Sequence, residues 1–339
     1  MPLPNHIARR LRLPLIAAPM FKVSGPELVI AACRSGVIGS FPTANARAEN
    51  ELDDWLSRIV EATGSTVGLT SGAAPCCPNL IIHREPQALA RDVECLVRHR
   101  VEMVITSVGS PAPVIKPLHA AGCLVFADVA TVSHARKALN AGADGLVLLT
   151  AGAGGQTGWL NGFAFVRAVR SFYQGPVVLA GGVSDGAALW AARALGCDMA
   201  YMGTKFIATN ESMALPPYKA MLVESQADDV QLTRAFSGLA SSILRPSIVA
   251  AGLNPDTLDE NIGTVRAKEI FGESRLKFTD PSQVMGPKRW SDIWSAGHSV
   301  SGVNAVMPVA QLVTKTEAEY HEAMRSTAMP ADAQALGAS

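Results

Sequence analysis

Residues 177–204 read VVLAGGVSDGAALWAARALGCDMAYMGT. Val177 to Ala180 is an apolar run short enough for a buried strand. Gly181-Gly182 breaks it, Asp185-Gly186 reads as a turn and helix cap, and the Ala/Leu-rich stretch to 194 has helical spacing. Met199 to Met202 is again apolar and strand-like before Gly203-Thr204. Strand, helix and strand in such short compass make a βαβ unit.

The same alternation extends back to the N-terminus. Apolar runs at 14–17, 37–40, 80–83, 103–107, 124–127 and 145–149 predict further strands. Stretches of helical spacing at 25–35, 49–62, 86–99, 112–121, 131–141, 162–171 and 185–194 lie between strands. Eight strands alternating with helices predict an α/β protein with a TIM (β/α)8 barrel. Periodicity alone does not show closure, so an open doubly wound sheet is the alternative.

After Phe206 the pattern changes. Residues 215–226 and 242–251 look helical, while 254–290 is polar, broken by Gly and Pro, and without strand alternation. The expected organisation is a barrel over 1–207, a small helical insert over 208–291 that caps the site, and a return to the barrel over 292–339. The return holds a last helix at 309–325, begun after Pro308, and a frayed tail at 329–339.

Lys and Arg together number 29, as do Asp and Glu, so the net charge is zero. That excludes a basic nucleic-acid footprint and gives no reason to expect a membrane surface as partner. Charged residues are 17% and apolar ones 48%, which excludes general disorder and suits buried parallel strands. Six cysteines without a C-x-x-C pair argue against a disulfide scaffold or a zinc site, so no metal is expected. The adjacent Cys76 and Cys77 read as core or loop thiols. Pro and Arg interrupt the N-terminal segment and no run of 18 apolar residues occurs. The expectation is a cytoplasmic monomer or homodimer acting on a small molecule.

In such a barrel the chemistry lies just past the C-terminal ends of the strands. Ala180-Gly181-Gly182 after the seventh strand and Gly203-Thr204 after the eighth suit a phosphate: glycine lets backbone N–H groups approach, a following helix adds its N-terminal charge, and Thr204 offers a hydroxyl. Thr150 to Gly158 after the sixth strand carries four glycines but fails the G-x-G-x-x-G spacing, because Thr157 stands where the third glycine belongs. It describes a backbone lying flat against a planar ligand, or else a lid. Ala18-Pro19-Met20 after the first strand leaves room for a ring on which Met20 packs. Asn79, among Pro78, Leu80 and Ile81, offers an amide to a pyrimidine-like edge, or else forms a turn.

APM at 18–20, PNLIIH at 78–83, AGAGGQTG at 151–158, LAGGVSDG at 179–186 and DMAYMGTKFIAT at 198–209 occur in this order. Together they resemble the nitronate monooxygenase family, once called 2-nitropropane dioxygenases, and the flavin-dependent enoyl-ACP reductases of the same architecture. The similarity runs over about 205 residues and resumes at DIWSAG, 292–297. The resemblance implies a TIM barrel with a helical domain and non-covalent FMN. It implies a phosphate on Gly181, Gly182, Gly203 and Thr204, beside Ala180. The ring would lie against Ala18, Pro19, Met20, Asn79, Gly154 and Gly155, with Trp294, Ser295 and the insert as roof.

Two positions depart from the family pattern. Gln156 stands where relatives with nitronate monooxygenase activity commonly carry a catalytic His, and an amide orients a substrate but takes no proton. Asp128 stands where some relatives place a Lys near the flavin, so it is expected to point away or pair with a cation. His298, directly after WSAG, is the candidate replacement base. His134 reads as a surface residue, His83 as a possible pocket residue, and Lys205 as a possible addition to the phosphate loop.

The implied reaction is oxidation of an alkyl nitronate with O2 to a carbonyl compound and nitrite. The alternative is an NAD(P)H-dependent flavin reductase acting on an enoyl thioester or quinone, which needs no base at residue 156. A flavin-free barrel that binds a phosphorylated ligand is the third reading.

Overall fold

The computed structural model describes residues 3–64, 72–266, 287 and 289–328. The strands in chain order are β1 (Leu15–Ala17), β2 (Ile38–Gly39), β3 (Asn79–Ile81), β4 (Met103–Ser107), β5 (Leu124–Val129), β6 (Gly145–Leu149), β7 (Gly155–Gln156), β8 (Val177–Ala180), β9 (Met199–Met202), β10 (Val230–Thr233) and β11 (Ser241–Leu244). Eight of them form one parallel sheet in the order β2-β1-β9-β8-β6-β5-β4-β3. That order is chain order rotated, without the reversal a doubly wound sheet requires. The edge strands β2 and β3 are joined by the parallel bridges Gly39–Cys76 and Pro42–Asn79. Two amides cross there, from Cys77 to the Gly39 carbonyl at 2.8 Å and from Asn79 to the Phe41 carbonyl at 2.8 Å. The sheet therefore curls into a TIM-barrel-like ring.

Alternation along each strand divides the core. Residues of one parity, among them Ile16, Ile105, Phe126, Val147, Val178 and Met199, fill the interior. Their neighbours of the other parity, such as Leu15, Leu146, Leu148, Val177 and Ala200, pack outward beneath the helices. Gly145 has a physical reason: a β-carbon there would lie 2.3 Å from the Phe126 ring.

The helices begin with α1 (Asn5–Ala8), α2 (Pro26–Arg34), α3 (Glu51–Thr63), α4 (Pro86–Arg98), α5 (Ala112–Ala120), α6 (Val132–Asn140), α7 (Gly162–Arg170) and α8 (Gly186–Leu195). Four of them start on a side-chain cap: Glu85 for α4, Thr131 for α6, Asn161 for α7 and Asp185 for α8. Each such cap contributes about 1 kcal/mol. The later ones are α9 (Thr204–Ile207), α10 (Pro216–Glu224), α11 (Arg245–Ala250) and the C-terminal α12 (Val309–Thr327). α12 packs on α8 backbone to backbone at Gly186, where a β-carbon would lie 2.1 Å from the Tyr320 nitrogen. Arg10 and Glu102 form a buried ion pair, both side chains 2% exposed.

Two expectations are corrected. The segment after Phe206 is not purely helical. β10 and β11 pair antiparallel, and β11 pairs in turn with β7, whose residues lie in the loop after β6. Residues 242–251 were expected to be one helix; instead Ser241–Leu244 is a strand and α11 starts at Arg245. Leu244 is the extended residue that precedes α11, and Pro246 in the first turn has no N–H with which a helix could be continued back through 242–244, so the helix begins only at Arg245. Secondly, β5 runs to Val129 rather than ending at 127, which places Asp128 within a strand, in register with Val147. The tail at 329–339 and much of 254–290 lie outside the described residues.

Candidate active site

The parity that fills the barrel interior also defines the site. Two residues beyond Ile16, Cys77, Ile105, Phe126, Val147, Val178 and Met199 stand Ala18, Asn79, Ser107, Asp128, Leu149, Ala180 and Tyr201. All seven of these line a single cavity of about 1090 Å³. Such a volume is at the upper end for a small-molecule site and leaves room for a cofactor and a substrate together.

Of the residues singled out in the sequence, Ala18, Pro19, Met20, Asn79, Asp128, Gly154, Gly155, Gln156, Ala180, Gly181, Gly182, Gly203, Thr204, Trp294 and Ser295 all line this cavity. His298 does not. Its imidazole packs against Gly152, where a β-carbon would come 2.7 Å from Nδ1, and the residue is otherwise exposed. Gly152 is itself a lining residue, so His298 sits behind the wall and is not part of the lining that holds Gln156. His83 and Lys205 are likewise outside the lining. His134 was read as surface; it is exposed but stands at the cavity rim with Lys137, both on α6.

The glycine turns have the backbone a close-approach site requires. Gly181 and Gly182 have φ of 128° and 74°, conformations that disfavour a side chain, and a β-carbon on Gly182 would meet nothing within 4 Å. Thr204 is buried and its Oγ1 accepts the Gly297 amide at 3.0 Å, which leaves its own hydrogen free to be donated. One part of the expectation needs revision. The N-terminus of α8 already holds two carboxylates: Asp185 accepts from the Ala188 amide at 2.8 Å, and Glu319 accepts from the Gly186 amide at 3.0 Å. Asp185 is thus a cap, and this helix end is not open to a further anion. The turn itself is.

The loop after β6 is flat for a reason the sequence did not disclose. A β-carbon on Gly154 would lie 2.8 Å from the Gly297 nitrogen, and one on Gly158 would lie 2.0 Å from the Leu149 carbonyl oxygen. Two of its four glycines are thus required by the protein's own backbone. Gly155, with φ of 65°, and Gln156 form β7 and face the cavity, with Gln156 exposed. Trp294 stacks on Tyr218 with ring centroids 5.1 Å apart, and Tyr218 donates its hydroxyl to the Ser295 carbonyl. Ser237, Leu239 and Ala240, between β10 and β11, complete the wall on that side.

Asn79 is buried and interlocked with Ser107: its Nδ2 reaches Ser107 Oγ at 3.1 Å and the Ile105 carbonyl at 3.3 Å, and Ser107 Oγ reaches its Oδ1 at 3.2 Å. Asp128 neither points away nor pairs with a cation. It faces the cavity, Oδ1 has no hydrogen-bond partner among the described residues, and burial pushes its carboxyl up to about 8. Tyr201, 7% exposed, has an equally unpartnered hydroxyl, pushed well above its ordinary range by burial and then by Asp128. Ser107, Tyr201 and Tyr218 were missed in the sequence; counting by two from the packed interior would have found the first two. Cys76 and Cys77 are buried and form no disulfide among the described residues.

The model of the nitronate monooxygenase family matches residues 73–317, more than half of the chain. The chain belongs to that family. It is accordingly an enzyme of an oxidoreductase family whose members are flavoenzymes. Nitronate monooxygenase from Paraburkholderia phytofirmans (strain DSM 17436 / LMG 22146 / PsJN) is 27% identical, over 92% of this chain and 93% of that protein. A (3aS,4S,5R,7aS)-5-hydroxy-7a-methyl-1-oxo-octahydro-1H-indene-4-carboxyl-CoA dehydrogenase from Rhodococcus jostii (strain RHA1) is 26% identical, over 84% of this chain and 74% of that protein. Among solved structures, FabK from Thermotoga maritima superposes with a TM-score of 0.75 at 24% identity, covering 96% and 98% of the two chains, a likeness of fold. No helix among the described residues is long and apolar enough to cross a membrane.

Proposed function

We propose that this member of the nitronate monooxygenase family is an FMN-dependent oxidoreductase that converts alkyl nitronates and O2 to a carbonyl compound and nitrite. The observation that carries the reading is convergence. The glycine turns at Gly181-Gly182 and Gly203-Thr204, the amide of Asn79 and the strand Gly155–Gln156 open onto one cavity large enough for a flavin and a substrate. When bound, FMN supplies electron-transfer chemistry that no side chain in this cavity provides. The turns and the Thr204 hydroxyl fit its phosphate. Asn79, held by Ser107, presents a fixed amide to the ring system. The Gln156 amide donates a hydrogen bond to a nitronate oxygen and orients it. Because Gln156 takes no proton, the substrate must arrive already anionic. Trp294 and Leu239 add apolar surface to the cavity wall.

The test is direct. Purified protein should show a visible flavin band and release nitrite from propyl nitronate under air. Colourless protein after FMN addition defeats the cofactor assignment; flavin without nitrite defeats the substrate assignment.

A second reading, an NAD(P)H-dependent reductase of an enoyl thioester, is favoured by two observations. Gln156 leaves the cavity without a base at that position, and Lys137 places positive charge at the rim, where a nucleotide or CoA phosphate would bind. Rapid anaerobic bleaching of the flavin by NADH or NADPH would establish this reading; its absence with both nucleotides would dismiss it.

A further inference from the structure

Two polar atoms are buried without a hydrogen-bond partner among the described residues, and both belong to the wall of the same cavity: Asp128 Oδ1 and the Tyr201 hydroxyl. Buried polar groups are nearly always paired, so an orphan in a cavity wall marks the place of a missing partner. Here two orphans occur together. Asp128 lies on β5 and Tyr201 on β9; each stands two residues beyond a packed interior residue, both line the cavity, and the carboxyl acts electrostatically on the phenol. Asp128 also acts on the buried Cys77 thiol, and no Lys, Arg or His side chain is hydrogen-bonded to Asp128 Oδ1 among the described residues. Below them the interior is apolar, built from Phe126, Val147, Val178 and Met199.

We propose that Asp128 and Tyr201 form a two-donor pocket for a ligand oxygen that carries or develops negative charge. An uncompensated carboxylate in this setting is costly, and the carboxyl, raised by burial alone, is held in its neutral form near pH 7. A neutral carboxylic acid is a strong O–H donor, and a tyrosine hydroxyl is a second. A protonated carboxyl beside a tyrosine at an apolar site is an established way to stabilise an oxyanion. The proton remains on Asp128; the pocket binds and polarises. This deepens the functional reading above, on which it rests for the identity of the ligand: the oxygen belongs to the substrate, as in a nitronate or a thioester carbonyl, or to the flavin's own carbonyl edge.

The experiment compares wild-type protein with Asp128→Leu, Asp128→Asn and Tyr201→Phe. Each is titrated by calorimetry with 4-nitrophenolate, a small oxyanion, and with FMN. Asp128→Leu and Tyr201→Phe should each weaken one of the two ligands at least about 10-fold, whereas Asp128→Asn, which keeps a donor, should stay within about threefold. Loss confined to the phenolate assigns the pocket to the substrate, and loss of FMN affinity assigns it to the cofactor. Affinities for both ligands within about twofold of wild type in Asp128→Leu and Tyr201→Phe would overturn the proposal. Tighter phenolate binding by Asp128→Leu would also overturn it, since it would reveal an ionised carboxylate. So would failure of the wild type to bind either ligand. The phenolate titration needs no flavin, so protein that binds phenolate but not FMN defeats the cofactor assignment while leaving this pocket supported.

Discussion

Gly154 and Gly297 face each other so closely that a β-carbon on the first would lie 2.8 Å from the nitrogen of the second, and one on Gly297 would lie 2.9 Å from the Gly154 nitrogen. The loop after β6 and the segment bearing Trp294 are thus seated on each other through bare backbone. Gly154→Ala should push them apart, lowering stability by about 1–3 kcal/mol and weakening FMN binding as Trp294 and Ser295 shift. Thermal unfolding and a flavin titration check this. A variant with unchanged melting temperature would show that the seat is looser than described.

Gly145→Ala tests the interior in the same way. The new methyl would stand 2.3 Å from a Phe126 ring carbon in a fully buried layer. Because Phe126 is enclosed, the expected cost is about 1–3 kcal/mol, seen as a reduced denaturant midpoint with an unchanged slope. Phe126→Leu combined with Gly145→Ala should recover part of the loss. If it recovers none, the clash is not with that ring.

Asp128 makes stability depend on pH in a direction opposite to that of a salt-bridged carboxylate. Its pKa is pushed up to about 8 in the folded protein, against about 4 in an unfolded chain. Its contribution is therefore fully present below about pH 4 and is lost as pH rises through about 8. Asp128→Asn is neutral throughout. In the ligand-free state its stability relative to wild type should climb between about pH 4 and 8 and level off beyond, by on the order of 5 kcal/mol. Melting temperatures across that range decide the matter: a pH-independent gap would mean that Asp128 is ionised in the fold.

Gln156→His supplies a titratable group at the cavity wall. Neutral nitroalkanes, inert with an amide at this position, should then release nitrite, with a rate that rises as the imidazole loses its proton near pH 6 to 7. Turnover of pre-formed nitronates should change less than about threefold, since an imidazole N–H orients an oxygen much as the amide did. Equal failure on both substrates would place the nitronate elsewhere in the cavity.

Short apolar runs followed by glycine made the strands and the cavity floor readable in the sequence, because a parallel strand buried on both sides needs apolar residues at every position. Ala18, Asn79, Gly182 and Thr204 were found because strand ends carry the site. What escaped notice depended on contacts distant in sequence. Ser241–Leu244 looked helical because its partner, Gly155–Gln156, lies more than 80 residues earlier. That Gly154 also accommodates the backbone at 296–297 was not visible, because that segment is remote in the chain. His298 looked available because adjacency to Ser295 says nothing of which way a ring turns. Asp128 was expected to point away or pair with a cation, but extension of β5 by two residues, not its charge, fixes where it points.

The pairing of Ser241 with Gln156 means that the residue proposed to orient the substrate is mounted on a strand completed by the segment that follows the parallel strands. Chemistry and access are therefore inherited as one piece. A chimera that exchanges residues 208–291 for those of a relative while keeping the host barrel would re-aim residue 156 even though that residue is unchanged. Transplanting a new substrate preference into this scaffold requires moving β7 together with the segment that braces it.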